Sequence, residues 1–316
     1  MTNNSDSILD VVIVGAGPAG LSAALILGRC RRRVLIIDAG RPRNAASHAL
    51  HGYLTRDGIE PAELLRIGRE QLQPYTSVEL RAGEVIAASS VSGRFEIMLK
   101  NEKPLRSKKL LLATGVVDHL PDIEGLSEFY GRSVFHCPYC DGWEMRDQPL
   151  AVYGREDRGA GLALELTAWS KDLVVCSDGP AKLKPAEREQ LASLNIAVRE
   201  ERISRLEGTD GRLERIVFAS NQVLERRGMF FNTGQDQGCD LAAKLGCEFT
   251  ERGAVRTGDF EMTNVPGLFV AGDASRAVQL SIVAAAEGAE AAFAINKALI
   301  QEDLAKQSQV RSSIKS

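Results

Sequence analysis

The feature that most constrains the fold is a glycine-rich turn between a buried strand and a helix near the start of the chain. The strand, Val11 to Gly15, is a continuous β-branched run of the kind found in parallel sheets covered on both faces. Gly17, Pro18 and Gly20 then lead into an Ala- and Leu-rich helix, and a second apolar strand ends at Asp38. This order predicts a βαβ unit of the Rossmann type.

The same turn carries the G-x-G-x-x-G pattern of dinucleotide sites, with an acidic residue at the expected distance. Gly15 allows a tight turn, Gly17 lets the backbone approach a pyrophosphate, and Gly20 allows the helix to pack closely on the strand. The amino end of the helix favours phosphate charge. Asp38 would bind ribose hydroxyls and repel a 2′-phosphate, so the site is predicted to take FAD or NAD and to exclude NADP. A turn of this shape without a ligand is the alternative.

The βαβ pattern starts again inside the chain. A strand is predicted over Leu150–Gly154, a helix over about Gly159–Ser170 and a further strand over Asp172–Cys176. A final strand, Leu268–Gly272, precedes an Ala-rich helix that is expected to end near Ile300, before a polar, frayed tail from residue 301 to residue 316.

Turn-forming segments near residues 118–125 and 246–258 are predicted to be linkers. The predicted fold class is therefore α/β, with two Rossmann-like three-layer domains, the second inserted into the first. Residues 1–118 and 247–316 are assigned to the FAD-binding domain. Residues 119–246 are assigned to a redox-active domain with a degenerate pyridine-nucleotide-like fold.

Cys137 and Cys140 form a C-x-x-C pair, while the other four cysteines are isolated in the sequence. Six cysteines in 316 residues do not indicate a disulfide scaffold, so the pair indicates redox chemistry or a metal site. Zinc would need two further ligands at motif spacing, and there is no second C-x-x-C. We therefore predict no metal. An inert structural pair remains the alternative to a disulfide that exchanges with a substrate.

The order of these motifs resembles that of the low-molecular-weight thioredoxin reductases over nearly the whole chain. In that family a strand ending in Gly-Asp, here Gly272 and Asp273, is the second FAD motif. The resemblance therefore implies that the first site binds FAD. Further cofactor contacts are expected from the strand end, from a loop that wraps the flavin and from neighbouring positions: Ala113, Thr114, Gly115, Pro18, Ala19, Ala39, Gly40, Arg43, Asn44, His51, Val85, Gln279 and Leu280.

The resemblance also assigns roles around the cysteines. Cys140 would lie nearest the flavin and Cys137 would exchange with the substrate. Asp141 would carry protons to and from the thiolate and the flavin. His136, next to the pair, could stabilise a thiolate, although a single histidine is more often a packing residue.

The second glycine-rich turn departs from the family pattern. Glu156 occupies the position of the middle glycine, and Asp157 adds another negative charge, which opposes a pyrophosphate. The next strand ends in Cys176-Ser177-Asp178, without the arginine-rich patch that the family uses for the 2′-phosphate of NADPH. Residues 279–281, Gln-Leu-Ser, replace the family's Arg-Gln-Ala on our alignment. We therefore expect no use of NADPH, although Arg155 and Arg158 could partly offset the acidic charge.

Bulk properties exclude some function classes. The net charge of −3 does not favour a nucleic-acid partner, and no apolar run approaches the length of a membrane span. Residues 1–10 are polar without a basic leader, so a cytoplasmic location is expected. The family resemblance further implies a homodimer.

Three functions are consistent with the sequence. The first is a disulfide reductase that passes electrons from a protein donor, such as a ferredoxin, through FAD to the cysteine pair and then to a thioredoxin. The second is an oxygen-dependent oxidase of a small dithiol, because the segment HCPYCDGWE resembles flavin-dependent dithiol oxidases. The third is a non-enzymatic flavoprotein redox sensor. The complete relay favours an enzyme, and we predict the reductase.

Overall fold

The computed structural model describes the backbone of residues 8–315 and divides the chain into two compact units. Unit 1 contains the chain up to Arg43, Ala62–Val117 and the chain from Asp236 onward. Unit 2 contains Asn44–Pro61 and Asp118–Gln235. The first seven residues, part of the segment on which the expected cytoplasmic location rests, lie outside the described residues.

Unit 1 begins with the predicted βαβ unit and continues into a helix and an antiparallel hairpin. Its elements are β1 (Leu9–Val14), α1 (Pro18–Arg29), β2 (Val34–Asp38), α2 (Pro61–Glu70), β3 (Val78–Ala82), β4 (Val85–Val91), β5 (Arg94–Leu99), β6 (Leu105–Leu112) and β7 (Val116–Asp118), with which the chain leaves the unit.

Unit 2 contains the cysteine motif and the second βαβ pattern. Its elements are α3 (Leu126–Phe129), β8 (Val134–Phe135), α4 (Pro138–Asp141), β9 (Leu150–Tyr153), α5 (Arg158–Leu166), β10 (Leu173–Cys176), α6 (Pro185–Ser193), β11 (Ala197–Arg199), β12 (Ile203–Thr209), β13 (Arg212–Phe218), β14 (Val223–Glu225) and β15 (Gly228–Phe231). The chain returns to unit 1 through β16 (Gln235–Gln237), followed by α7 (Leu241–Lys244), a 3₁₀ turn (Asp259–Glu261), β17 (Leu268–Val270) and α8 (Ser281–Lys315).

The main sheet of unit 1 has a parallel core in the order β3-β2-β1-β6. Strand β17 pairs in parallel with the carboxyl half of β6, and the antiparallel strand β5 pairs with its amino half. Helices α1 and α8 pack against each other, and a Cβ on Gly288 of α8 would lie 2.0 Å from the carbonyl oxygen of Ala19 in α1. Glycine is therefore required at residue 288 for the two helix backbones to approach this closely.

Unit 2 is built on a five-stranded parallel sheet in the order β11-β10-β9-β15-β8. A separate antiparallel sheet of β12, β13 and β14 accompanies it. Because each unit has a parallel sheet with crossover helices, the predicted α/β fold with two Rossmann-like domains is confirmed.

The linker predicted near residues 246–258 is wrong, because that segment belongs to the core of unit 1. Cys247 and Val255 are buried there with Leu241 of α7. The chain instead returns to unit 1 at residue 236, and Asn44–Pro61, which the sequence predicts to be part of the FAD-binding domain, belongs to unit 2. A Cβ on Gly131 would lie 2.5 Å from the carbonyl oxygen of Ala46, which shows how closely this segment packs on unit 2.

The predicted end of the last helix is also wrong. Helix α8 continues past Ile300 to Lys315, through a segment that contains neither glycine nor proline and includes three Gln and two Lys, which favour helix. In unit 2, α5 ends at Leu166, earlier than the predicted Ser170. Among the described residues, no helix combines the length and apolar character that crossing a membrane requires.

Candidate active site

In unit 1 the first glycine-rich turn joins β1 to α1, and its three glycines meet different demands. Gly15 has φ 103°, and a Cβ there would lie 2.2 Å from the carbonyl oxygen of Ala113. A Cβ on Gly20 would lie 1.9 Å from the carbonyl oxygen of Gly15. At Gly17, by contrast, a Cβ would meet no atom within 4 Å. Gly17 therefore leaves space outside the turn, at the amino end of a twelve-residue helix, the kind of position at which Rossmann folds bind a pyrophosphate.

The Asp38 carboxylate lies beside this turn at the end of β2. One oxygen accepts a hydrogen bond from the Ala16 backbone N–H at 3.4 Å, and the other accepts from the Arg69 guanidinium at 2.9 Å. These two hydrogen bonds fix the carboxylate next to the turn, where it is predicted to bind ribose hydroxyls. Arg69 lies on α2, and sequence reasoning did not identify it. The predicted contacts Ala39 and Gly40 follow directly and are exposed.

Three of the other predicted cofactor residues form one hydrogen-bonded group in unit 1. The Arg43 guanidinium donates to the Asp273 carboxylate and to the Gln279 side-chain oxygen, both at 2.8 Å. The left-handed backbone at Gly272, with φ 83°, precedes Asp273. Residues from sequence positions more than 200 apart are thus brought to one place beyond the ends of the parallel strands, where α/β sheets bind ligands.

A buried ionic cluster supports the Gly272 turn and was not predicted. The Glu287 carboxylate accepts a hydrogen bond from the Gly272 backbone N–H at 2.7 Å and another from Arg276 at 2.8 Å. Arg276 also pairs with the fully buried Glu261. Burial raises the pKa of the Glu287 carboxyl to about 7. The sequence signal for this cluster is an acidic residue within the Ala-rich part of α8.

The remaining predicted cofactor residues divide between the units. Those in unit 1 lie at or beside the ends of strands and helices: Pro18, Ala19, Val85, Ala113, Thr114, Gly115 and Leu280. Val85, the first residue of β4, is buried in the hydrophobic core. Asn44 and His51 belong to unit 2 instead. There, the two nitrogens of the His51 ring lie 3.7 Å from the Asp57 carboxylate and 3.6 Å from the Glu144 carboxylate. The structure thus gives His51 protein partners near the cysteine motif.

In unit 2 a disulfide joins Cys137 and Cys140, with 5.3 Å between their Cα atoms. Cys137 caps the short helix α4, and its sulfur accepts a hydrogen bond from the Cys140 backbone N–H at 3.2 Å. A hydrogen bond of this kind stabilises a thiolate more than a thiol, so it would favour the Cys137 thiolate once the disulfide is reduced. Within residues 8–309, no group of three or more His, Cys, Asp or Glu side chains could hold a metal ion.

Asp141 directly follows the second cysteine and is partly buried. Burial, together with repulsion from the Glu144 carboxylate, raises the pKa of the Asp141 carboxyl from 3.8 to about 7. A group that titrates near neutral pH can both donate and accept a proton there, which suits the predicted role in thiol chemistry.

Replacing Asp141 by Asn should remove a pH dependence from the stability of the protein. The unfolded carboxyl ionises near 3.8 and the folded one near 7, so the free energy of unfolding falls as pH rises through this interval and levels off above it. At roughly 1.4 kcal/mol per pKa unit, the loss is on the order of 4 kcal/mol. Urea unfolding of both proteins at acidic and at mildly basic pH measures it, and parallel profiles for wild type and D141N would contradict the assignment.

His136 precedes the motif and has polar and aromatic neighbours. Its Nδ1 lies 3.9 Å from the Asp118 carboxylate and 3.4 Å from the Tyr130 hydroxyl, and its ring packs 6.2 Å from that of Phe231. Its position beside Cys137 is compatible with the predicted influence on a thiolate, which stays a prediction.

The second glycine-rich turn, in unit 2, keeps the two glycines that pack against neighbouring residues of the same unit. A Cβ on Gly154 would lie 2.5 Å from the Gly159 nitrogen, and one on Gly159 would lie 2.9 Å from Val175. Glu156, at the middle position, has the left-handed φ of 61° that favours glycine, and its carboxylate pairs with Lys182 at 2.6 Å. An anion therefore stands where a pyrophosphate would need an approachable backbone.

One of the two cations that could have favoured a nucleotide here, Arg155, is already paired with a carboxylate. Arg155 donates to the Asp178 carboxylate at 2.7 Å, and Asp178 also accepts from the Tyr153 hydroxyl and the Ile203 backbone N–H. The Asp178 side chain is only 7% exposed. Both of its oxygens are thus occupied by protein donors, and Arg155 is held by a carboxylate.

A cleft of about 320 Å³ opens on unit 2 beside the cysteine motif. Both chain neighbours of Cys137, His136 and Pro138, line it. The rest of its wall comes from one face of α5 and from the residue that follows β15, including Arg158, Gly161, Glu165 and Asn232. A volume of this size is at the lower end of the range of about 300 to 1,000 Å³ seen for small-molecule sites.

Comparison with known proteins places this arrangement in a family. The model of the pyridine nucleotide-disulphide oxidoreductases matches residues 9–288. A probable thioredoxin reductase of Arthroderma benhamiae is 32% identical over 84% of this chain and 74% of its own length. The thioredoxin reductase of Aquifex aeolicus is 30% identical over 93% of this chain and 94% of its own. Among solved structures, a putative thioredoxin reductase of Bacillus anthracis superposes with a TM-score of 0.88 at 36% identity, over 93% of this chain and 99% of that one.

Proposed function

Since the chain belongs to the pyridine nucleotide-disulphide oxidoreductase family, as a thioredoxin reductase-like enzyme, we propose that it moves electrons between FAD and the Cys137–Cys140 disulfide without NADPH. One contrast carries the proposal. The first glycine-rich turn leaves open space at Gly17, whereas the second presents the Glu156 carboxylate, held by Lys182, at the same position of its pattern.

The residues that the proposal assigns to FAD form a consistent cradle in unit 1. Gly17 leaves room for a pyrophosphate, Asp38 lies beside the turn for ribose hydroxyls, and Asp273 is held by Arg43 near the second motif. FAD held by these residues would supply the electron pair that opens the Cys137–Cys140 disulfide.

The reduced cysteine pair then carries out exchange with a substrate disulfide. The Cys137 thiolate attacks one substrate sulfur, forming a mixed disulfide, and the first substrate thiol leaves with a proton. The Cys140 thiolate attacks Cys137, releases the second substrate thiol and restores the internal disulfide, so two electrons have passed to the substrate. Asp141, with its pKa near 7, supplies protons to the departing thiolates.

For the finer assignment we propose an iron–sulfur protein such as a ferredoxin as the donor, giving one electron twice, and a thioredoxin-type protein as the acceptor. Tyr139 and Trp143, 67% and 65% exposed, flank the second cysteine and offer an aromatic surface to a protein partner. A homodimer and a cytoplasmic location belong to the same proposal, and sedimentation of the purified protein tests the first of these.

A second function, oxygen-dependent oxidation of a small dithiol, is favoured by the cleft beside Cys137, whose volume suits a small molecule. In this direction the substrate dithiol gives two electrons and two protons to the cysteine pair and becomes a disulfide. Oxygen is the final acceptor and hydrogen peroxide the product. Oxygen uptake with small dithiols, measured beside anaerobic titration with reduced ferredoxin, separates the two directions.

NADPH should reduce the bound flavin poorly or not at all. Replacing Glu156 by Gly should improve the reaction only slightly, because Arg155 stays paired with Asp178 and no cationic patch for the 2′-phosphate is restored. Anaerobic stopped-flow mixing with NADPH measures the rate. When the flavin is instead reduced photochemically, the Cys137–Cys140 disulfide should still open. That result would show that electron transfer from flavin to the disulfide does not need NADPH. Rapid bleaching of the flavin by NADPH would instead make this an ordinary thioredoxin reductase.

A further inference from the structure

The cleft beside Cys137 carries two opposite charges on a single helix face. Its α5 residues are spaced at i, i+3, i+4 and i+7, which places them in one stripe along the helix: Arg158, Gly161, Leu162 and Glu165. The cationic and anionic ends of this stripe are two helical turns apart, roughly 10 Å at 1.5 Å per residue.

Neither charge forms an ion pair among the residues that the structure describes. Arg158 donates one hydrogen bond to the Thr233 carbonyl oxygen at 3.0 Å, which anchors the guanidinium and leaves its other N–H groups available. Glu165 makes no ion pair within residues 8–309, and its side chain belongs to an exposed residue. Asn232 adds an amide to the same wall.

Gly161 keeps the space between the two charges open. It lies inside α5, where glycine costs stability relative to alanine, and a Cβ there would meet no atom within 4 Å. Neither backbone conformation nor helix packing requires glycine at this position. Its absent side chain leaves room in the cleft.

We propose that this cleft binds small disulfides and dithiols of amino-acid or short-peptide type, with Arg158 pairing with a carboxylate and Glu165 with an ammonium group. Asn232 is suited to an amide of a peptide bond. His136 and Pro138, the chain neighbours of Cys137, line the same cleft, so the proposal directs the sulfur atoms of a bound ligand toward Cys137. The inference rests on the proposed exchange chemistry, in which Cys137 forms the mixed disulfide and Cys140 resolves it.

A series of four disulfides tests the charge requirement. Cystine carries both groups, cystamine only the ammonium, dithiodipropionate only the carboxylate, and bis(2-hydroxyethyl) disulfide neither. The holoenzyme is photoreduced anaerobically and mixed with each disulfide, and the return of the flavin absorbance is followed. We expect cystine to react about fivefold faster than either singly charged compound, as for a solvent-accessible ion pair, with the neutral disulfide slowest.

Substitutions in the cleft should change this preference in a defined way. R158Q should make cystine react no faster than cystamine. E165Q should make cystine react no faster than dithiodipropionate. G161L should slow cystine strongly by filling the cleft, and G161A serves as the milder variant if the leucine disturbs folding. E189Q, on the exposed face of α6, is the matched control for loss of a carboxylate and should leave all four rates unchanged.

Binding without chemistry gives an independent measurement. Cystathionine resembles cystine but has a methylene in place of one sulfur, so it cannot exchange. Calorimetry should show it binding to the oxidised holoenzyme and failing to bind the G161L protein. If a thioredoxin-type disulfide reoxidises the photoreduced protein but none of the four small disulfides does, the proposed recognition is overturned. If neither kind of disulfide reacts, the proposed function itself is wrong. If all four react equally, or if R158Q and E165Q keep the wild-type preference, exchange stands and the proposed recognition is overturned.

Discussion

Replacing either Cys137 or Cys140 by Ser is expected to reduce disulfide turnover to background while leaving FAD bound. Each cysteine is indispensable, because one sulfur must form the mixed disulfide and the other must resolve it. Cofactor retention should be unaffected, because the residues proposed to hold FAD in unit 1 do not include the pair. The C137S protein should also show a long-wavelength charge-transfer band between the remaining Cys140 thiolate and the flavin.

Absorbance spectra and turnover of the two variants measure these effects, with C30S as the control, since Cys30 is an exposed free cysteine. A charge-transfer band in C140S alone would exchange the roles of the two cysteines. Full turnover in either serine variant would remove the pair from the reaction.

Replacing Gly17 by Leu should yield a colourless protein that still folds. The leucine Cβ meets no protein atom within 4 Å, so the change fits the fold, but the side chain occupies the space proposed for the pyrophosphate. The flavin absorbance per mole of purified protein, together with circular dichroism, measures both properties.

The matched control for this variant is G258L. Gly258 also lies in unit 1 and has extended backbone, and a Cβ added to it would meet no atom within 4 Å, but it lies outside both proposed FAD motifs. It should remain yellow. A wild-type protein that is colourless and cannot be reconstituted with FAD would contradict the proposed cofactor.

The sequence predicts those parts of the molecule in which the determining residues are close together along the chain. Both glycine-rich turns, their flanking strands and the C-x-x-C pair are local patterns, and the structure places them where the patterns indicate. The replacement of the middle glycine by Glu156 could also be recognised from the sequence, because Gly154 and Gly159 still mark the pattern. The structure shows that both of these glycines meet the steric demands of the turn.

What could not be predicted depends on contacts between distant segments. Arg69 reaches Asp38 across 31 residues, and Asp178 reaches Arg155 across 23. The assignment of Asn44–Pro61 to unit 2 depends on packing of that segment, such as the contact between Gly131 and Ala46. The loop composition alone carries no signal for these partners, since many surface charges could pair with equal ease.

The close contact of Gly288 with Ala19 has a consequence for the order in which the protein is made. Helix α1 leaves the ribosome early, but α8 and β17, which complete its sheet and pack against it, are synthesised only after all of unit 2. The strands of the unit 2 sheet all lie between residues 134 and 231, so this unit can fold while synthesis continues. The proposed cofactor site, which needs both Gly17 and Asp273, is therefore completed last, and flavin incorporation would follow translation of residue 273.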